Sequence, residues 1–186
     1  MLLNLPNLLT LSRVAVIPVF VAAFFLEGAL ANWVALGLFV AAGLTDYFDG
    51  FFARRREQAS DFGRFLDPIA DKLLVATALL MLAGFGRIAG LALVAAAIIL
   101  LREIVISGLR EYLGGLKIAV PVSRLAKWKT AVQMVALAVL LVAPAVQDAA
   151  PQLTLVGLLL LWLAALLTLW TGYDYLRAGI RHAMDG

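Results

Sequence analysis

The sequence predicts an all-α integral membrane protein with six transmembrane helices, an N-terminal interfacial segment and both termini in the cytoplasm. Composition, the spacing of uncharged runs and the sidedness of basic residues carry this expectation. Of 186 residues, 64% are hydrophobic and 15% charged, and the mean hydropathy is +1.00. Soluble domains carry about 45–50% apolar and about 25% charged residues, so there is too little polar surface here to cover a water-facing globule.

Six uncharged runs separate the charges: Val14–Leu26, Gly28–Thr45, Leu73–Gly86, Ile88–Leu101, Thr130–Gln147 and Ala149–Tyr173. A hydrocarbon core needs about 20 helical residues, so the shorter runs reach across only if their charged flanks belong to the same helices. Lys72, Arg102 and Asp46 then sit at or just inside the rim of the bilayer, where a charge must be paired, hydrated or functional. With six spans, the connections at Glu27, Arg87 and Asp148 share one side. Of the fifteen Lys and Arg residues, Arg87 alone falls there and fourteen fall on the other side, which the positive-inside rule makes cytoplasmic.

The opening segment, Met1 to Ser12, has its first positive charge only at Arg13 and is interrupted by Pro6 and Pro18, so it is expected to persist as an interfacial segment rather than to act as a cleaved signal. No linker, low-complexity stretch or internal repeat divides the chain, so residues 1–186 are expected to form a single membrane domain. Gly43, Gly50, Gly84, Gly86 and Gly90 suit close helix contacts, with Gly86-x-x-x-Gly90 a weak packing motif. Trp33, Trp128 and Trp170 fall near span ends, as in an aromatic belt.

The composition also excludes several chemistries. With no cysteine and one histidine, His182, there is no thiol nucleophile, disulfide framework or thiolate zinc site. The net charge of +3 does not point to nucleic acid, because the basic residues are divided by apolar runs instead of forming one stripe. Asp, Glu, Arg, Lys and hydroxyls are left to carry any reaction.

Those residues concentrate between Asp46 and Asp71, DYFDGFFARRREQASDFGRFLDPIAD. Asp46 and Asp49 are three apart at the end of the second span, and Asp67 and Asp71 are four apart at the start of the third. On helices both spacings put the two side chains on one face. A short connection makes the two helices antiparallel neighbours, so four carboxylates share one small volume. Even at an effective dielectric of about 20, one pair of like charges about 4 Å apart costs roughly 4 kcal/mol. An all-oxygen cluster of this kind suits hard divalent cations, Mg²⁺ or Mn²⁺, and four acids can bridge two of them. Gly50 and Ala53 continue the Asp46 face and leave room for a ligand, Arg54 stands one turn beyond Gly50 within reach of a phosphate, and Gly63 removes bulk before Asp67.

The spacing Asp46-x-x-Asp49-Gly50-x-x-Ala53-Arg54-x8-Gly63-x-x-x-Asp67-x-x-x-Asp71 resembles the signature of the CDP-alcohol phosphotransferases, and the six-span layout agrees with that family over the whole chain. The resemblance implies transfer of a phosphatidyl or similar group from a CDP-linked lipid to an alcohol, with release of CMP and a requirement for a pair of divalent metals. It implies that Asp46, Asp49 and Asp67 bind metal, and that Asp71 is both a further ligand and the base that deprotonates the acceptor. Gly50, Ala53, Arg54 and Gly63 are implied to line the cytidine diphosphate site. Direct in-line attack is expected, because no candidate for a covalent nucleophile stands out.

Acceptor choice falls to the second half. The blocks REIVISGLREYL from Arg102 and VSRLAKWKT from Val122 supply Arg102, Arg110, Arg124, Lys127 and Lys129. Two or three of these cations in one pocket suit a phosphorylated acceptor. These blocks, with the opening NLPNLLTLSR and Ile17-Pro18, resemble the bacterial branch of the family that joins CDP-diacylglycerol to sn-glycerol 3-phosphate. That resemblance implies that Arg102, Arg110 and Lys127 hold the acceptor phosphate, that Asn7 and Thr10 contact the CDP moiety, and that the protein is a homodimer of a bacterial inner membrane. Inositol phosphate, serine or phosphatidylglycerol as acceptor is the alternative within the same chemistry. A divalent-cation transporter is the alternative outside it, and it fits poorly with acids gathered at one rim instead of the midplane.

Overall fold

The computed structural model describes the backbone of residues 5–56, 61–115 and 124–184, and the side chains of residues 11–45, 69, 70, 72–115, 125–173 and 175–177. It contains six α-helices, α1 (Leu5–Ala23), α2 (Gly28–Arg56), α3 (Asp61–Gly84), α4 (Ala92–Gly115), α5 (Arg124–Val142) and α6 (Leu153–Met184), with a short 3₁₀ turn at Ala143–Val146. There is no strand among the described residues. This is what a hydrocarbon solvent demands, since each backbone N–H and C=O must find a partner within its own segment.

Four segments are long and apolar enough to cross a bilayer: Gly28–Thr45, Ala92–Gly115, Leu125–Val146 and Leu153–Arg177. In α1 and α3 the apolar stretches, Leu11–Ala23 and Lys72–Gly84, are shorter. As the sequence predicts, the charged flanks belong to the same helices: α2 continues past Thr45 through Asp46 to Arg56, and α3 begins at Asp61. Residues 5–12 are not separate from the first apolar run, because α1 passes through both prolines. Pro6 lies in the first turn, where its missing N–H would have no intrahelical partner, and Pro18 is accommodated within the helix.

The helices close into a ring in the order α1, α2, α5, α6, α4, α3 and back to α1, with the α5–α6 and α4–α6 contacts the most extensive of the second half. Each helix contributes to the core, through Phe20, Phe39, Leu82, Ile99, Leu137 and Leu161 among others. Leu80, Leu91, Leu101 and Leu166 point outward, as expected of a surface solvated by lipid chains. Between helices in lipid there is little hydrophobic driving force, so close van der Waals packing over small residues does the joining. Ala35, Ala78, Ala95, Ala136, Ala164 and Ala165 are all essentially inaccessible.

The glycines divide into two kinds. A methyl group on Gly157 of α6 would lie 2.7 Å from Leu140 Cδ2 and 2.8 Å from its Cγ, and one on Gly43 of α2 would lie 2.9 Å from Met134 Cε. Both are close approaches to α5. Gly86 and Gly90, by contrast, are turn residues and not a packing pair: their φ angles are 71° and 55°, and nothing stands within 4 Å of a Cβ at either. Gly84 likewise has open space at its Cβ position.

The α1–α2, α3–α4 and α5–α6 connections meet at one end of the ring. Phe85 packs on Phe24 and Phe25 with centroid separations of 5.3 and 5.5 Å. Arg87 joins the three connections: it donates to Asn32 Oδ1 and, over 3.0 Å, to the Leu141 carbonyl, and its guanidinium carbon stands 5.0 Å from the Phe24 ring centroid. Burial pushes this guanidinium below its ordinary pKa, a desolvation cost that the two acceptors and the ring offset.

Gly157→Ala is expected to lower stability by about 1–3 kcal/mol, because the added methyl meets the branch carbon of a buried leucine. Gly43→Ala should lie close to wild type, since a methionine terminus moves aside readily. Thermal unfolding of both variants in the same detergent checks the contrast, and equal midpoints would refute it.

Candidate active site

At the opposite end of the ring α2 ends and α3 begins, and α4 ends and α5 begins. The sequence-predicted acids fall there. Asp46 and Asp49 stand in the final turns of α2, and Asp67 and Asp71 in the first half of α3, all on helical backbone. The helical register on which the three- and four-residue spacings depend is therefore the observed one. Gly50, Ala53 and Arg54 follow on α2, Gly63 lies in the first turn of α3, and Asn7 and Thr10 lie in the first turns of α1. The side chains of these ten positions lie outside the described residues.

The described part of the site is a cleft lined by Lys72, Arg102, Glu103, Ile106, Ser107, Arg110 and Glu111. It contains two of the three cations expected to hold an acceptor phosphate, Arg102 and Arg110. They are eight residues apart on α4 and so return to one face after about two turns. The cleft also contains Lys72, which directly follows Asp71 on α3. Lys72 of α3 and the Arg102–Arg110 face of α4 thus border the same space.

Lys127, the third expected cation, is exposed and does not line the cleft. Lys129 is the α5 cation that turns inward, and it is only 2% exposed. Two residues apart on a helix is roughly half a turn, so the two lysines necessarily diverge. The pattern was available in the sequence: Lys129, Gln133, Ala136, Leu137, Leu140 and Leu141 recur at helical spacing, and all are buried.

Lys129 forms an ion pair with Glu103 on α4, whose carboxylate also lies 3.5 Å from Arg102 Nη1. Arg102 is near the middle of α4, at a depth where an uncompensated charge is costly. Glu103 offsets one positive charge of the two. Among the described residues the cleft brings Lys72, Arg102 and Arg110 together with Glu103 and Glu111. Arg110 reaches α6, where its guanidinium carbon lies 5.7 Å from the Tyr175 ring centroid. Tyr175 carries no motif that would single it out in the sequence. Tyr112 and Trp128 are exposed, as expected of interfacial anchors.

A ring of apolar helices, acids in helical register on α2 and α3, and a cleft that gathers Lys72, Arg102 and Arg110 are the marks of a membrane enzyme. Residues 3–170 match the CDP-alcohol phosphatidyltransferase family, and the chain belongs to that family. It is 45% identical to a protein of Rickettsia felis, over 94% of both chains. It is also 45% identical to one of Pectobacterium atrosepticum, over 96% of both, and 36% identical to one of Cereibacter sphaeroides, over 98% of both. Each of these relatives is a CDP-diacylglycerol–glycerol-3-phosphate 3-phosphatidyltransferase.

Glu103→Gln is expected to destabilise the protein by about 3 kcal/mol, because it leaves Lys129 buried without its counter-charge. The double variant Glu103→Gln/Lys129→Met should recover part of that loss. Unfolding in detergent across the four members of this cycle measures the coupling, and additive effects would show that the pair contributes nothing.

Proposed function

We propose that this chain transfers the phosphatidyl group of CDP-diacylglycerol to sn-glycerol 3-phosphate, giving phosphatidylglycerol phosphate and CMP, at the cytoplasmic face of a bacterial inner membrane. The names of the relatives support both substrates. The observation that carries the acceptor is the cleft in which Lys72, next to Asp71, meets Arg102 and Arg110. A neutral or zwitterionic alcohol would give this basic cluster less purpose. A phosphomonoester supplies the matching charge and accepts forked guanidinium hydrogen bonds.

In this proposal Gly50, Ala53, Arg54 and Gly63, with Asn7 and Thr10, cradle the cytidine diphosphate of the lipid donor. Arg102, Arg110 and Lys72 hold the acceptor phosphate, and Lys127 adds positive field from its exposed position. Asp71 orients an acceptor hydroxyl and takes its proton as the oxygen attacks the phosphorus that bears the diacylglycerol. One P–O bond forms, the bond to CMP breaks in line with it, and the product keeps both acyl chains in the bilayer. Four carboxylates in a chain without cysteine, and with its one histidine near the C-terminus at position 182, are a hard oxygen donor set that fits Mg²⁺ or Mn²⁺. Asp46, Asp49, Asp67 and Asp71 would hold two such ions, which when bound neutralise charge on the pyrophosphate oxygens. The homodimeric state rests on the family resemblance alone.

The proposed topology has six spans, with both termini and the site cytoplasmic, supported by the fourteen-to-one distribution of basic residues. Because the chain has no cysteine, single cysteines report sidedness cleanly. Asp148→Cys should react with an impermeant maleimide in intact spheroplasts, and Arg181→Cys only after the membrane is opened. The reverse pattern would invert the topology.

The activity is tested by CMP release from detergent-purified protein given CDP-diacylglycerol and Mg²⁺, with glycerol 3-phosphate, inositol phosphate, serine and phosphatidylglycerol offered separately. Turnover confined to glycerol 3-phosphate is expected, and turnover confined to another acceptor would discard the reading of the cleft. Asp71→Asn should lower turnover by about 10²-fold or more while CDP-lipid binding persists. Full activity in that variant would overturn the assignment of the base.

A further inference from the structure

Arg102 lines the cleft and lies against α6. Its neighbour there is Gly172, which is buried. A methyl group at Gly172 would stand 3.2 Å from Arg102 Cγ and 3.7 Å from its Nε. The first distance is tighter than an ordinary carbon–carbon contact, and it involves an atom near the root of the side chain, where little slack exists. The Nε atom is itself buried and has no hydrogen-bond partner among the described residues. Three residues further along α6, on the same side of the helix, Tyr175 meets Arg110. The two arginines that α4 brings to the cleft are thus both set from behind by α6, one by the absence of a side chain and the other by an aromatic ring.

We propose that Gly172 and Tyr175 are positioning residues of the acceptor site: together they fix the depth and direction of Arg102 and Arg110, and so the geometry in which the cleft takes a phosphomonoester. This inference rests on the assignment of the cleft as the acceptor-phosphate site. The lever is mechanical. A shift of a few tenths of an ångström at Arg102 Cγ grows along the side chain to the guanidinium, and anion recognition by a forked donor tolerates little misplacement. Removing the Tyr175 ring frees Arg110 from a cation–π contact without touching the path of the lipid donor on α2 and α3.

The test uses the full-length protein in detergent and reads binding as well as turnover. Affinity for inorganic phosphate and for glycerol 3-phosphate is measured by ligand-induced thermal shift, alongside KM for each substrate. Gly172→Ala is expected to weaken both anions and raise the glycerol 3-phosphate KM by about tenfold, with the KM for CDP-diacylglycerol unchanged. Tyr175→Leu should raise the acceptor KM about threefold, and Tyr175→Phe, which keeps the ring, should restore it. Unchanged anion affinity in Gly172→Ala and Tyr175→Leu would overturn the proposal, as would equal losses for both substrates. If the wild type binds phosphate and Gly172→Ala weakens that binding, the positioning role stands even should glycerol 3-phosphate fail to turn over; that failure would count against the proposed reaction alone.

Discussion

Every feature of this protein answers one constraint: a chain that lives in hydrocarbon must satisfy its own polar groups. Backbone hydrogen bonding makes it helical, and side-chain charge is admitted only where another group meets it. Glu103 is the clearest case. It stands between Lys129 of α5 and Arg102 of α4, two helices that reach each other mainly through α6. Without this carboxylate, a buried lysine and a half-buried arginine would face each other in a medium that screens them poorly. With it, both cations are held at the edge of the cleft.

The cleft that this pair borders is where the fold meets the proposed phosphoryl chemistry. Lys72 of α3 lines the cleft with Arg102 and Arg110 of α4, and in sequence it directly follows Asp71. In the proposed reaction, the helical junctions keep donor and acceptor subsites separate in charge and adjacent in space. The residues that line the cleft all stand on α3 and α4, and helices hold side chains more precisely than loops do.

Much of this was legible in the sequence, and the remainder was not for identifiable reasons. The six helices, the charged flanks continuous with apolar runs and the convergence of Arg102 with Arg110 all follow from helical periodicity, which is a local property. Lys127 and Lys129 are separable by the same arithmetic, once the buried stripe of α5 is extended back by one turn. Glycines were harder. Gly86 and Gly90 have the spacing of a packing motif but serve as left-handed turn residues. Gly157 and Gly172 carry no such motif, yet they lie against Leu140 and Arg102. Which glycine meets a neighbour depends on which helix lies alongside, and that is fixed by the ring order, a property of the whole chain that no short window contains. The acids' side chains lie outside the described residues, so for them only the helical register can be compared with expectation.

The ring order also sets a schedule for assembly. Helices α1, α2 and α3 are made first and can associate at once, since α1 touches both of the others. The flank of α2, however, is completed by α5, which enters the membrane only after α4. Leu141, whose carbonyl accepts from Arg87, lies 54 residues beyond it, whereas Phe24 and Asn32 come well before it. Arg87 therefore ties together parts of the chain that are made early and late.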